Sequence, residues 1–165
     1  ETVTDSGGVV FVPGFVGLGA PHWDPYGTGI MVGITRGTSQ GHIARAALEA
    51  IALQNLDVLD TMEKDSAIKT KELRVDGGAT ANNLLLQIQA NVANIKIIRP
   101  KITETTAQGA AFLAGLATGY WKDIQEIKEI WEPEKIFSPQ SDPNATKMHE
   151  NWKKAIDRSK NWLSE

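Results

Sequence analysis

"LRVDGGATANNLLLQIQA", residues Leu73 to Ala90, joins two apolar runs through an acid, two adjacent glycines and a turn of small residues. Residues 72–78 have the composition of a short strand, and residues 82–94 have that of a helix. Residues 95–100, "IKIIRP", are typical of a second strand that a proline ends. A strand, a helix and a strand in this order predict a right-handed parallel crossover, which places the chain in the α/β class.

The two glycines, Gly77 and Gly78, follow the first of these strands. Because glycine has no Cβ, a ligand there can touch the main chain directly. The helix that begins near Asn82 would direct its partly positive N-terminus at the same place. Ligands of open α/β sheets bind outside the carboxyl ends of strands, so this turn is a candidate nucleotide site. The Asn82 side chain could hydrogen-bond a base or a phosphate oxygen.

A structural turn is the alternative explanation of the same residues. Strand-to-helix turns often need a positive φ, which glycine supplies, and Asp or Asn there often caps the helix. The glycine spacing is that of neither a P-loop nor a dinucleotide-binding fingerprint. The stretch taken alone therefore leaves both explanations open.

Two further strands are predicted near the start of the chain, over residues 8–15 and 29–35. The loop between them has glycine or proline at nearly every third position. His22 in this loop has no second histidine nearby at the spacing of a metal site. We therefore expect it to be a loop residue and not a metal ligand.

A long helix is predicted from His42 to about Met62, with Ser39 as its N-cap. The residues expected to face inward recur every three or four positions: Ile43, Ala47, Ala50, Ile51, Gln54, Val58 and Met62. The polar residues are expected to face solvent or to cap a loop, without forming an acid–base pair; they are Arg45, Glu49, Asp57 and Asp60.

Three segments are predicted after the crossover. Residues 106–120 form a helix of alanine, glycine and a few large apolar residues, and a shorter amphipathic helix covers residues 124–131. Residues 132–143 are predicted to be a proline-punctuated connector. A last helix is expected to start at an Asp142 cap and to run to about Leu163. Its inward residues would be Met148, Trp152, Ala155, Ile156, Ser159 and Leu163.

The composition restricts the class of protein. The 165 residues are 41% hydrophobic and 22% charged, which suits one domain with a core of its own. The net charge of -3 and the scattered lysines and arginines argue against a nucleic-acid partner. No apolar run approaches the roughly 20 residues that span a bilayer. The absence of cysteine excludes disulfides and thiolate metal sites and agrees with a cytoplasmic location.

Four motifs together carry a resemblance to a known family. They are "GLGAPHWDP", "GIMVGITRGTSQGHIARAALEAIALQ", "LRVDGGATANNLLLQIQA" and "RPKITETTAQGAAFLAGLATGYW". In order and spacing they resemble the C-terminal half of the FGGY family of carbohydrate kinases, and "ETTAQGAA" is most similar to the members that phosphorylate glycerol. The chain departs from the family at His22, where tyrosine is usual, and at Thr28, where arginine is common.

The resemblance implies a ribonuclease H-like α/β fold of the actin and hexokinase type, with ATP held in a cleft between two lobes. Residues 1–165 would form the C-terminal, nucleotide-side lobe with added C-terminal helices. The N-terminal lobe and the start of this lobe would precede the chain. In the family, the second glycine of "DGG" and the asparagine four residues later contact the adenine nucleotide. These residues are Gly78 and Asn82 here, with Gly77 adjoining them. The helix over 106–120 would lie at the hinge between the lobes, and the alternative is an ordinary buried helix rich in alanine.

The implied function of the intact protein is ATP-dependent phosphorylation of glycerol to sn-glycerol 3-phosphate, with Mg²⁺ held through the nucleotide. Glycerol would bind in the missing lobe, so no catalytic residue and no metal ligand is expected in this chain. The alternatives are a kinase of the same family that acts on xylulose or gluconate, or a non-catalytic nucleotide-binding module. A homo-oligomer is possible.

Overall fold

The computed structural model describes residues 2–163, which fold into an α/β arrangement of five strands, five α-helices and one 3-10 turn. The elements in chain order are β1 (Val10–Val12), β2 (Ile30–Val32), α1 (Gln40–Ser66), β3 (Glu72–Arg74), the 3-10 turn (Gly78–Ala81), α2 (Asn83–Ala93), β4 (Lys96–Pro100), α3 (Thr105–Thr118), α4 (Ile124–Ile130), β5 (Pro133–Phe137) and α5 (Ala145–Ser159).

The strands form two small sheets. Strands β1 and β2 are antiparallel, with Phe11 opposite Met31. In the second sheet β3 pairs parallel with β4, and Leu73 lies opposite Ile97. The parallel pairing and the connecting helix of the predicted crossover are therefore confirmed, and α2 packs on β4.

The prediction of a connector over residues 132–143 is wrong for its first part, which forms strand β5. It pairs antiparallel with β4, where Ile136 lies opposite Ile98, and Phe137 is buried in the core beneath α2. Pro133, its first residue, needs no ladder hydrogen bond there, because proline is tolerated at the start of an edge strand. The prolines that resembled a loop signal therefore mark the start of this strand and the turn that follows it.

The inward face predicted for helix α1 differs from the face that is buried. The residues predicted to be inward include Ile51 and Met62, and both are exposed. The buried side chains are Ala46, Glu49, Ala50, Ala52, Leu53 and Leu56. The helix packs on α2 as well as on β1 and α5. Its buried face is therefore wide and consists mostly of alanine and leucine, and the β-branched residues that were predicted to face inward lie outside it.

The prediction that the acids of α1 face solvent is wrong for Glu49 and Asp57. Glu49 is only 4% exposed, and its Oε1 accepts a hydrogen bond from Arg45 Nε at 2.8 Å. Asp57 is half-buried and accepts a hydrogen bond from the Trp152 Nε1–H at 2.7 Å, while His22 Nε2 lies 3.3 Å from the same oxygen. The two acids thus have separate partners, Arg45 for Glu49, and Trp152 and His22 for Asp57.

Helix α5 closes the core over α1 and β1. The prediction that Trp152, Ala155, Ile156 and Ser159 face inward is confirmed. The helix ends at Ser159, short of Leu163, which is exposed. It begins at Ala145 with Asn144 as N-cap, and Asp142 instead accepts a hydrogen bond from the Asn144 N–H at 2.8 Å in a local turn. That turn uses the carboxylate two positions before the N-cap, too early for it to cap the helix.

Asp24 joins the loop between β1 and β2 to the residues after α5. Its Oδ2 accepts a hydrogen bond from the Asn161 backbone N–H at 2.7 Å, and its Oδ1 accepts one from the Tyr26 N–H at 2.9 Å. The bond from Asn161 is the main reason why the pKa of the Asp24 carboxyl lies below its usual value. A carboxyl whose pKa is lower in the folded state contributes stability above its unfolded pKa and loses that contribution as pH falls through the folded pKa.

We therefore expect the chain to lose stability below about pH 4, and D24N to lose less over the same interval, because it has no carboxylate there to protonate. The measurement is the urea midpoint of each protein at pH 6 and at about pH 3. D65N is the matched control, because the Asp65 side chain has no hydrogen bond or ion pair among residues 2–163. Equal acid sensitivity in D24N and the wild type would contradict the assignment.

Helix α3 stands apart from the core. It has the predicted composition and nearly the predicted bounds, but none of its residues is buried, and Leu113 is 71% exposed. A close contact fixes its C-terminal end, where the Trp121 ring lies against Gly115 and meets the Phe112 ring edge-on with centroids 5.2 Å apart. A role for α3 at a hinge stays a prediction. Within residues 2–163, no helix is both long and apolar enough to span a membrane.

Candidate functional site

The glycine turn begins where β3 leaves the ladder. Beyond Arg74 the chain still follows β4 and the residues after it, since the Val75 N–H donates to Ile98 O of β4 at 3.1 Å and the Gly77 N–H donates to Thr103 O, beyond the end of β4, at 3.0 Å. The 3-10 turn follows, and the sequence did not predict it. The turn lies between the carboxyl end of β3 and the N-terminus of α2, which is the location expected for a ligand site in an α/β sheet.

Gly77 and Gly78 differ in why they are glycines. Gly77 has a φ of +82°, a backbone conformation that side chains disfavour. Gly78 does not have a positive φ, and a Cβ built on it would have no atom within 4 Å. The structural explanation therefore accounts for Gly77 but not for Gly78, where neither backbone conformation nor packing within the chain requires glycine.

Two backbone N–H groups of the turn are available to a ligand. Among the described residues, the N–H groups of Gly78 and Ala79 donate no hydrogen bond. They precede the first turn of α2, whose unpaired N–H groups carry the partial positive charge of the helix. Together with the empty space at Gly78, these groups form a surface to which an anion or a polar ring edge could bind.

Asn82 is the N-cap of α2. Its Oδ1 accepts a hydrogen bond from the Leu85 N–H at 3.1 Å, so the capping part of the structural explanation holds. The residue is exposed, and its Nδ2 donates to no residue within the described part of the chain. Capping orients the amide and leaves the Nδ2 hydrogens for a ligand, so the two explanations of Asn82 are compatible.

Arg99 and Thr80 support the turn from beneath, and neither was singled out from the sequence. Thr80 is buried, and both its N–H and its Oγ1–H donate to Gly77 O, at 3.1 and 2.7 Å. The Arg99 Nη1–H donates to Thr80 O at 2.6 Å, and Nε forms an ion pair with Glu134. The hydrogen bond from Arg99 holds the pKa of the Glu134 carboxyl below its usual value. The sequence gave no signal of this role, because Arg99 is a single arginine in a strand that ends in proline.

His22 lies in its loop as predicted, and its partner lies outside the glycine turn. Its partner is Asp57 on α1, whose same carboxylate oxygen also accepts the Trp152 N–H. No group of three or more His, Asp or Glu side chains suited to a metal ion occurs among residues 2–163. The candidate site is therefore the turn from Gly77 to Asn82 with its supporting side chains.

Comparison with known proteins decides the family. Residues 1–118 match the C-terminal domain of the FGGY family of carbohydrate kinases. The chain belongs to this family. The fold class predicted from the sequence is thereby confirmed, because the structural neighbours of the chain are FGGY kinases.

Two FGGY relatives show how specific the similarity is. The glycerol kinase of Borreliella afzelii strain PKo is 57% identical over 99% of this chain, and that of Deinococcus radiodurans is 56% identical over 98%. The chain covers 33% and 32% of the lengths of these two proteins. It thus spans about one third of the relatives that it matches.

Solved FGGY structures agree with this. The crystal structure of Plasmodium falciparum glycerol kinase with ADP superposes with a TM-score of 0.85 at 35% identity, covering 95% of this chain and 32% of that one. A ligand-bound xylulose kinase from Lactobacillus acidophilus gives a TM-score of 0.71 at 27% identity, covering 93% and 30%. Glycerol kinase is the more similar of these two members in both sequence and structure.

Proposed function

We propose that the intact protein is an ATP:glycerol 3-phosphotransferase and that this chain supplies the adenosine side of its active-site cleft. The observation that carries the proposal is the 57% identity to a glycerol kinase over 99% of the chain. The similarity to the glycerol kinase that was crystallised with ADP supports ATP as the phosphoryl donor. Among the solved structures, the glycerol kinase is 35% identical to this chain, whereas a xylulose kinase and a gluconate kinase are each 27% identical.

The residues of the turn would bind and orient the nucleotide. The empty space at Gly78 admits the nucleotide to the backbone, and the open N–H groups of Gly78 and Ala79 offer donors. Asn82 Nδ2 would donate to an acceptor on the base or on a phosphate. Such fixed contacts hold the donor still for transfer, and transfer of this kind relies on positioning and charge stabilisation.

The remaining functions belong to the rest of the protein. Phosphoryl transfer needs a base close to the alcohol, donors around the phosphates and a magnesium ion that bridges the phosphate oxygens. We assign no residue of this chain to the base, to glycerol or to Mg²⁺, which would be held through the nucleotide. The N-terminal lobe, a cytoplasmic location and a homo-oligomer stay predictions.

A substrate comparison on the intact protein tests the proposal. With saturating MgATP, kcat/KM for glycerol should exceed that for xylulose and gluconate by about 100-fold or more, because a site that hydrogen-bonds one polyol leaves polar groups unpaired with another. A coupled ADP-release assay measures all three. A preference for xylulose or gluconate would move the assignment to a sibling kinase, and ADP binding without any turnover would support the non-catalytic module.

A further inference from the structure

We propose that Arg99 is a positioning residue for the nucleotide: it holds the 3-10 turn in the shape that presents the Gly78 backbone and Asn82. The proposal rests on the proposed function, since it assumes that the nucleotide binds at this turn. It assigns a role to a side chain that lies one layer beneath the exposed surface and is not itself expected to touch the ligand.

Arg99 contacts both the turn and the neighbouring strand β5. The side chain comes from β4, and the residue is only 8% exposed. Its Nη1–H donates to Thr80 O at 2.6 Å, inside the 3-10 turn. Its Nε pairs with Glu134 of β5, and its guanidinium lies 5.6 Å from the centre of the Phe137 ring. One buried cation thus ties two neighbouring strands to the turn.

Thr80 transmits this anchoring to the glycines. Its N–H and its Oγ1–H both donate to Gly77 O, at 3.1 and 2.7 Å, and the Gly77 N–H in turn donates to Thr103 O. Hydrogen bonds therefore hold both the N–H and the C=O of Gly77, and Gly78 follows it directly. Gly78 and Ala79 have no bonds of their own to fix their N–H groups, so the direction of these groups depends on Thr80.

A cation is the strongest available donor for this purpose. A hydrogen bond from a charged group is shorter and about twice as strong as one between neutral groups. Losing it would leave the buried Thr80 carbonyl without this donor, which favours rearrangement of the turn over its present shape. A turn that samples other shapes binds the nucleotide more weakly, because only the competent fraction contributes to affinity.

Arg74 offers a matched control. It lies on β3, next to β4, and is also an arginine with an acidic partner and an aromatic neighbour: it lies 3.2 Å from Glu72 and 4.2 Å from the centre of the Trp131 ring. Its side chain is exposed and makes no hydrogen bond to the turn among the described residues. Substitution there removes the same chemical group without touching Thr80.

The test uses R99M, R99K, E134Q and R74M in the intact protein, with ADP affinity from calorimetry, the KM values of ATP and glycerol, and the melting temperature. R99M should weaken ADP binding and raise the KM of ATP about tenfold, with the KM of glycerol changed less than about twofold. R99K should fall between R99M and wild type, because an ammonium keeps the charge but not the two-pronged geometry. R74M should stay within about twofold of wild type in ADP affinity. E134Q keeps an oxygen that can accept the hydrogen bond from Arg99 Nε, so it should weaken ADP binding less than R99M does.

Two results would overturn the inference. The first is an ADP affinity in R99M no lower than in R74M, and the second is a parallel rise in the KM values of ATP and glycerol, which a general loss of structure would cause. If R99M does not fold, R99K carries the test, and wild-type ADP affinity in R99K would then overturn the role. A wild-type protein that phosphorylates glycerol while R99M binds ADP normally refutes only this inference. A wild-type protein that binds no nucleotide refutes the proposed function as well.

Discussion

Gly78→Val in the intact protein is expected to weaken ADP binding about 100-fold, equivalent to about 2.7 kcal/mol. The position is surrounded by empty space, so the two added methyl groups would extend into the volume assigned to the nucleotide and not into the chain itself. Because Gly78 does not have a positive φ, valine meets no backbone prohibition there, and the melting temperature should change little. Calorimetric titration with ADP and a thermal melt measure both quantities.

Gly19→Val is the control for this experiment. Gly19 also has empty space around the position of a Cβ and no positive φ, but it lies in the loop between β1 and β2. It should bind ADP like the wild type. Gly78→Ala adds a single methyl group and should fall between the two. Normal ADP affinity in a folded Gly78→Val protein would refute the nucleotide role of the turn, and a large loss of stability would favour the structural explanation of Gly78.

The local pattern around the turn was sufficient to predict the strands and the helix that flank it, but neither the 3-10 turn nor the side chains that support it. The apolar runs on either side of "DGG" predicted β3, α2 and β4, because each run buries its own residues against its neighbours in the chain. Glu134, in contrast, reaches Arg99 across 35 positions, in a segment with the signature of a loop. Contacts of that kind depend on which strand lies at the edge of the sheet, which local spacing does not specify.

Helix α1 shows a second limit of the same kind. Two sets of residues with helical spacing are available on it: the predicted set, which includes Ile43, Ile51 and Val58, and a set made mostly of alanine and leucine, which shares only Ala50 with the first. Hydrophobicity favours the first, but α2 can approach closely only where the side chains are small, and the second set is the one that is buried. The choice is made by the partner helix. The burial of Glu49 follows from it, since that residue lies on the same face as Ala46 and Leu53.

Trp152→Ala is expected to lower the free energy of unfolding by about 4 kcal/mol, the largest effect on stability predicted for the chain. Trp152 is 0% exposed and packs in the core formed by α1, α5 and β1. Its truncation removes the largest fully buried side chain and leaves a cavity that the two helices cannot close. It also removes the Nε1–H donor from Asp57, whose carboxylate is only 12% exposed.

Trp152→Phe separates the two contributions, because it keeps most of the apolar volume and deletes the donor. It should lower the free energy of unfolding by about 2 kcal/mol, since His22 remains as a partner of Asp57 while the smaller ring leaves some space. Trp162→Ala is the control: this tryptophan is 66% exposed, and its truncation should cost less than about 1 kcal/mol. Urea unfolding followed by circular dichroism gives all three values. If Trp152→Phe were as destabilising as Trp152→Ala, the hydrogen bond to Asp57 would outweigh packing, and α5 would be held to α1 mainly by that polar contact.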